Sequence, residues 1–376
     1  MEFMMKNKKA QVCVIALVLL LTAFLLFRSA ELSKGIASAV DLCLYTVLPS
    51  LFGMMVVSNI ILSSQVFEWF LLPFAPITRH IFKLPSKLTK VLVISFIGGY
   101  PVGAKMLDTL YQQGEIDRTT AERMLCFCVN AGPAFVISAV SVPIFHNMQV
   151  GFLVLGSQLC SNLVIGWLSG LRLKCPKKSY PHQGHADSPL TVRIVTAVNT
   201  ATRSMCIVCS FIVAFSILLT IVQISGAQSW MVSALSYVMS PPQATALVSG
   251  LLEVTQGCAS IPGNTTGSVL LFTALTSFGG ICVQMQISAL LSGSGIRIRK
   301  YWCTRLAHIL FSTLFCRLFL FIWNPALGAF APGEQVQFAV TAVSPFASIF
   351  LVVLCIILLF TARKSDTMEK ENRQKE

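Results

Sequence analysis

Apolar residues run in stretches long enough to cross a bilayer at 10–27, 45–62, 124–145, 150–171, 204–225, 269–291, 306–323 and 338–361. About 20 residues at 1.5 Å each span the hydrocarbon core, so the pattern predicts eight transmembrane helices. Two further apolar stretches, 88–104 and 244–262, are shorter and interrupted. Both contain Gly and Pro at positions that end a helix.

Charge decides how the interrupted stretches are counted. Lys and Arg gather in three links, at 79–90, 172–203 and 297–305. Full crossing by both interrupted stretches would put the second and third links outside the cell. If both are re-entrant, all three links lie inside, and the nearly uncharged links at 226–243 and 324–337 lie outside. Only the second count obeys the positive-inside rule throughout. The expected fold is therefore an all-α polytopic membrane protein, with about eight transmembrane helices plus two re-entrant broken segments. The first span follows Lys6, Lys8 and Lys9 and precedes Arg28. Its apolar core is longer than that of a cleavable signal peptide.

The broken segments also repeat. Pro85-Ser86-Lys87-Leu88-Thr89 precedes the first, and Pro241-Pro242-Gln243-Ala244-Thr245 precedes the second. The first ends in Gly98-Gly99-Tyr100-Pro101-Val102-Gly103-Ala104-Lys105 and the second in Glu253-Val254-Thr255-Gln256-Gly257. Each is followed by a span with a polar, Gly-bearing break, at Asn130-Ala131-Gly132-Pro133 and at Phe278-Gly279-Gly280. With the charge-derived topology the two halves run in opposite directions, an inverted-repeat plan that recurs in transporters. The implied division is 1–40, first span and link; 41–171, first repeat; 172–203, polar cytoplasmic link; 204–323, second repeat; 324–362, last span; and 363–376, charged tail.

Composition narrows the function classes. Charged residues are 11% of the chain against 55% hydrophobic, and mean hydropathy is +0.75. Soluble domains carry about 25% charged residues. The net charge of +13 sits in the links, so it encodes topology and not a nucleic-acid surface. The thirteen cysteines lie mostly in apolar runs and read as small core residues, Cys206 and Cys209 included. His182 and His185 lack further ligands for a metal site. No nucleophile–base set or phosphate-binding loop is present. The expectation is a non-enzymatic protein with no metal and no cofactor.

Glu253 is the only charged residue between Arg203 and Arg297. A carboxylate at bilayer depth costs about 2.5–3.5 kcal/mol on insertion scales and marks a binding site or pathway by default. Unwound backbone in a membrane survives only where protein or water satisfies it, so the Gly-rich breaks predict a shared polar cavity. Its candidates from the first repeat are Gly99, Tyr100, Pro101, Gly103 and Lys105, with Asn130 and Gly132 opposite. From the second repeat they are Glu253, Thr255, Gln256 and Gly257, with Gly280, Gln284 and Gln286 opposite. Amides supply donors and acceptors, which suits a neutral polar ligand, and Glu253 could hold a coupling cation or a ligand hydroxyl. The bland alternatives are a structural Glu253–Arg317 pair, a snorkelling Lys105, and Gln284 and Gln286 as interhelical glue.

At these residues the chain resembles the YlbJ family of sporulation integral membrane proteins. The carriers are Gly99–Lys105, Asn130–Phe135, Gly250–Gly257 and Phe278–Gln286, in the family's order. That resemblance implies the nucleoside-recognition or Gate domain and a place in the membrane of a sporulating bacterium, mother-cell or forespore. It also implies a role in forming the spore cortex. It does not imply a substrate; the expected partners, the lipid bilayer, a small polar solute and a coupling cation, come from the apolar runs, Glu253 and the amides. A transporter or permease of that solute is expected, with a non-transporting scaffold of sporulation machinery as the alternative.

Overall fold

The computed structural model describes residues 26–62, 71–171, 189–263 and 265–323, and every regular element among them is helical. Most of the expected span at 10–27, the span at 338–361, the tail and the His182/His185 pair lie outside those residues.

Helix α1 (Ser29–Leu42) passes through a π-helical turn (Cys43–Val47) into α2 (Leu48–Leu62). After a 3₁₀ turn (Leu72–Phe74), α3 (Ala75–His80) and a second 3₁₀ turn (Ser86–Leu88) lead into α4 (Thr89–Gly98). Then come α5 (Tyr100–Gln112), α6 (Arg118–Leu125), a π-helical segment (Ala134–Ser141), α7 (Val142–Phe145) and α8 (Met148–Gly170). The second half holds α9 (Leu190–Ile224), α10 (Ala227–Leu235), α11 (Pro241–Leu252) and α12 (Val254–Ala259). It continues through α13 (Thr266–Phe278) and α14 (Gly280–Leu290) to α15 (Arg299–Trp323).

Five helices among the described residues are long and apolar enough to cross a membrane: Ser29–Ile61, Met148–Gly170, Leu190–Ile224, Thr266–Leu290 and Arg299–Trp323. They match the expected spans at 45–62, 150–171, 204–225, 269–291 and 306–323. The expected span at 124–145 is a helix, an unwound stretch and a π-helical segment in series. Helix starts differ from the hydropathy limits. α9 begins at Leu190, inside the stretch read as a link, because Ala197 and Ala201 continue its buried face two turns and one turn before Ser204 and Met205. α15 begins at Arg299 for a similar reason, with Tyr301 and Arg305 buried on the face that later carries His308 and Ser312.

Both interrupted stretches turn back on themselves. Gly99 has φ +84°, which lets α4 stop and α5 start within one residue, with Pro101 at a helix start that needs no N–H. Downstream of the turn, a Cβ on Gly103 would lie 3.2 Å from the Ser95 Cβ and would collide with the Cys128 carbonyl. Likewise a Cβ on Gly257 of α12 would collide with the Gly250 backbone of α11. Each arm is short: the 10 residues of α4 rise about 15 Å, half a bilayer core. The order hairpin then interrupted helix recurs in the second half, where Gly279 (φ +83°) separates α13 from α14.

The basic links gather at one end of the bundle. Arg123 donates to the Phe82 carbonyl and, through Nε, to Ser169 Oγ at the end of α8 (3.1 Å). Glu122 accepts from Arg118 Nε (2.9 Å) and from the Arg297 backbone N–H (3.2 Å). Segments around 82, 120, 170 and 297 therefore share a face, which is what the re-entrant count requires. Along the rest of the bundle α8 packs on α15, and the α1–α2 rod packs on α9. That rod is antiparallel to α9, since Ser216 Oγ donates to Gly35 O (3.0 Å) while Cys43 Sγ meets Cys209 O (3.9 Å).

Candidate functional site

Glu253 sits at the turn of the second hairpin with 1% of its surface exposed. It is the N-cap of α12: one carboxylate oxygen accepts from Thr255 N (3.1 Å), the other from Gln256 N (2.7 Å). A helix start leaves N–H groups without intrahelical partners and carries a partial positive charge. The carboxylate answers both needs, which is how a charge is tolerated at this depth. Arg317 lies exposed on α15, and the structure does not bring it to Glu253, so the structural ion pair is not the explanation.

The other unwound stretch, between α6 and the π-helical segment, has the opposite need. Its backbone carbonyls lack intrahelical donors. Arg305, 1% exposed, donates through one terminal nitrogen to Val129 O (2.7 Å) and through the other to Cys126 O (2.8 Å). Its guanidinium lies 4.8 Å over the Tyr301 ring, a cation–π contact that helps offset desolvation. Asn130 donates to Phe127 O (3.0 Å) and accepts from Asn162 of α8 (2.8 Å).

A cavity of about 40 Å³ lies where the two hairpin turns approach α2 and α9. Its walls include Gly99, Tyr100, Pro101, Gly132, Glu253, Thr255 and Gln286 among the expected site residues. Sequence reasoning missed the apolar walls: Val47 and Leu51 from the rod, Phe135 from the π-helical segment, Val208 and Ile212 from α9, and Val254 and Val283. Val47 and Phe135 both belong to π-helical turns, which bulge a helix locally and often mark functional sites. Three polar side chains, Glu253, Thr255 and Gln286, thus face a largely apolar cavity, the usual composition of a small-molecule site.

The remaining expected residues serve elsewhere. Lys105 pairs with Asp108 one turn along α5 (2.8 Å) and is not a cavity wall. Gln256 reaches out of the hairpin to Ser216 Oγ of α9 (3.0 Å). Gly103 and Gly257 are close-packing positions. Gly280 is another, since a Cβ there would lie 2.9 Å from Gly250 O. Asn130 and Gln284 are buried away from the cavity, and Gln284 donates to Phe278 O (2.5 Å). Arg305 was hidden because it sits beside Arg297, Arg299 and Lys300 in a stretch read as a link. The spacing Tyr301, Arg305, His308, Ser312 on one apolar helix was the readable signal.

Residues 44–156 match the Gate family model, described as nucleoside recognition. The match runs from the rod through the first hairpin and the unwound stretch into α8, so Glu253 and the second hairpin lie beyond it. The chain is 27% identical to the sporulation integral membrane protein YlbJ of Bacillus subtilis (strain 168) over 89% of this chain and 89% of that protein. No solved structure matches. The four motifs that carried the resemblance lie in a chain similar to that sporulation integral membrane protein, with a Gate match within its first half and five helices among the described residues long and apolar enough to cross a membrane.

Proposed function

We propose that the protein is a permease of sporulation membranes that moves a small neutral polar solute of the nucleoside class in support of spore cortex formation. The observation that carries this reading is Glu253: a buried carboxylate, fixed by a helix start, in the wall of a cavity between two reversing hairpins. Backbone N–H groups and the Thr255 side chain bind the carboxylate, which still leaves it a lone pair for a ligand hydroxyl or a coupling cation. Thr255 and Gln286 add a hydroxyl and an amide, and the apolar walls suit the faces of a base. The two halves, read as inverted repeats, supply elements that can rock against each other. The cavity holds about three waters at its present size, so solute entry requires the hairpin turns to separate from α2 and α9.

The test is thermal stability of the purified protein against nucleosides, nucleobases, sugars, metal ions and cortex precursors, with Glu253→Gln alongside. A ligand at 100 times its Kd stabilises by about 2.7 kcal/mol. The expected result is a nucleoside-class shift in the wild type that Glu253→Gln abolishes. No shift with any ligand would favour the scaffold reading, for which the small volume of the cavity is the specific support. In that case replacing residues 108–123 with a Gly/Ser spacer should abolish function more completely than Glu253→Gln does.

A further inference from the structure

Gln284 and Gln286 are two residues apart on α14, about 200° around the helix, and they face different compartments. Gln286 faces the cavity. Gln284, fully buried, faces the interface of α8, α13 and α15. Among the described residues this interface carries three side chains with buried polar atoms that find no hydrogen-bond partner in the protein. The atoms are Gln158 Oε1, Asn162 Oδ1 and Arg305 Nε, beside the His308 ring, which meets the Ser277 and Gln158 backbone.

These groups are neighbours. Gln158 donates to Thr276 Oγ1 (2.9 Å), Ser161 to the His308 carbonyl (3.3 Å), and Asn162 to Asn130 (2.8 Å). Arg305 stacks on Tyr301, and the Tyr301 hydroxyl hydrogen-bonds the Gln284 side chain. Left dry, three such atoms would together cost a large share of the folding stability of a typical domain. The set mixes acceptors (the Gln158 and Asn162 amide oxygens) with a donor (Arg305 Nε–H). Water, which donates and accepts, fits every one of them. Arg305 makes the compartment positive, which disfavours a bound cation.

Tyr100 stands between the two compartments. Its ring is a cavity wall, and a Cβ on Gly279 would lie 3.3 Å from its edge. Its hydroxyl donates to the Thr276 carbonyl, on the same residue whose side chain binds Gln158.

We propose that the α8–α13–α15 interface holds a chain of bound waters, a hydrated compartment that the Tyr100 ring divides from the cavity and that forms the second half of the solute path. Hydration follows from the unpartnered atoms alone; the place in a path rests on the permease reading.

Hydroxyl-radical footprinting of the full-length protein, read by mass spectrometry, tests it, because radicals formed in internal water oxidise adjacent side chains. After correction for intrinsic reactivity, Tyr301 and His308 should be oxidised at least fivefold faster than Phe127 and Phe272, which are as deeply buried. Equal rates would overturn the proposal. Tyr100→Ala should at least double the oxidation of Tyr301 and His308 by joining the compartments, and no change would overturn the dividing role. Loss of the permease reading in the ligand screen would leave the wild-type footprint as expected, so the two failures are distinguishable.

Discussion

The two unwound regions solve one problem with opposite charges. Between α6 and the π-helical segment the chain leaves carbonyls unsatisfied, and a cation, Arg305, comes from a distant helix to donate to two of them. At the turn of the second hairpin the chain leaves N–H groups unsatisfied, and an anion, Glu253, accepts from two of them within its own turn. The polarity of the exposed backbone sets the sign of the capping charge. Sequence distance also differs. Glu253 stabilises locally, whereas Arg305 holds α15 to a segment more than 170 residues earlier, so its loss should loosen tertiary structure as well as the break.

The largest effect should follow from breaking the distant cap. Arg305→Leu strands two buried carbonyls at about 1–3 kcal/mol each, roughly 2–6 kcal/mol in total. Arg305→Lys should recover only part, because an ammonium lacks the planar fork. Thermal or denaturant unfolding in detergent measures both; a leucine variant as stable as wild type would dissolve the comparison. The local cap should cost less. Glu253→Ala should lose about 1–2 kcal/mol, and Glu253→Gln less than half of that, since one amide oxygen can still accept.

The smallest effect concerns Glu122, which clamps the start of α15 to α6 at the basic end. Burial pushes its carboxyl up, but the Arg118 side chain and the Arg297 N–H outweigh that and hold it below the usual carboxylate range. A depressed folded pKa means stability that is fully present above the unfolded value of about 4.3 and is lost as pH falls below it. The melting temperature should therefore be flat from about pH 7 to 5 and decline toward pH 3. Glu122→Gln should start lower and show a shallower decline; an unchanged acid limb would remove the clamp from the account.

Much of this was legible in the sequence, and the rest was not for identifiable reasons. Apolar run length located the spans, and the placement of Lys and Arg selected the re-entrant count that the contacts of Arg123 and Glu122 support. Gly99, Pro101 and Glu253 marked the turns because helix-ending residues and an isolated charge stand out in apolar sequence. Arg305 did not stand out, because a charge near other charges looks like a link until its helix phase is counted. The separation of Gln284 from Gln286 follows from 3.6 residues per turn. The i,i+3 spacing of Lys105 and Asp108 was a readable signal of their pairing that the assignment of Lys105 to the cavity passed over. The apolar cavity walls on α2 and α9 were beyond reach, since any Val or Ile on those helices could have filled the same role until tertiary packing chose.

The glycines at the meeting points bear on how the chain tolerates mutation. Gly257 rests on Gly250, Gly280 on the Gly250 carbonyl, and Gly132 on Gly99, so main chain touches main chain with no side chain between. Every missense codon change at Gly132, Gly257 or Gly280 adds at least one carbon where a neighbouring backbone already sits. A saturation scan should find these columns nearly empty of accepted variants, as sharply as a binding site would appear. Gly257 and Gly280 would then look like ligand contacts although neither is a cavity wall, while Val208 and Ile212, which are, should accept other apolar residues.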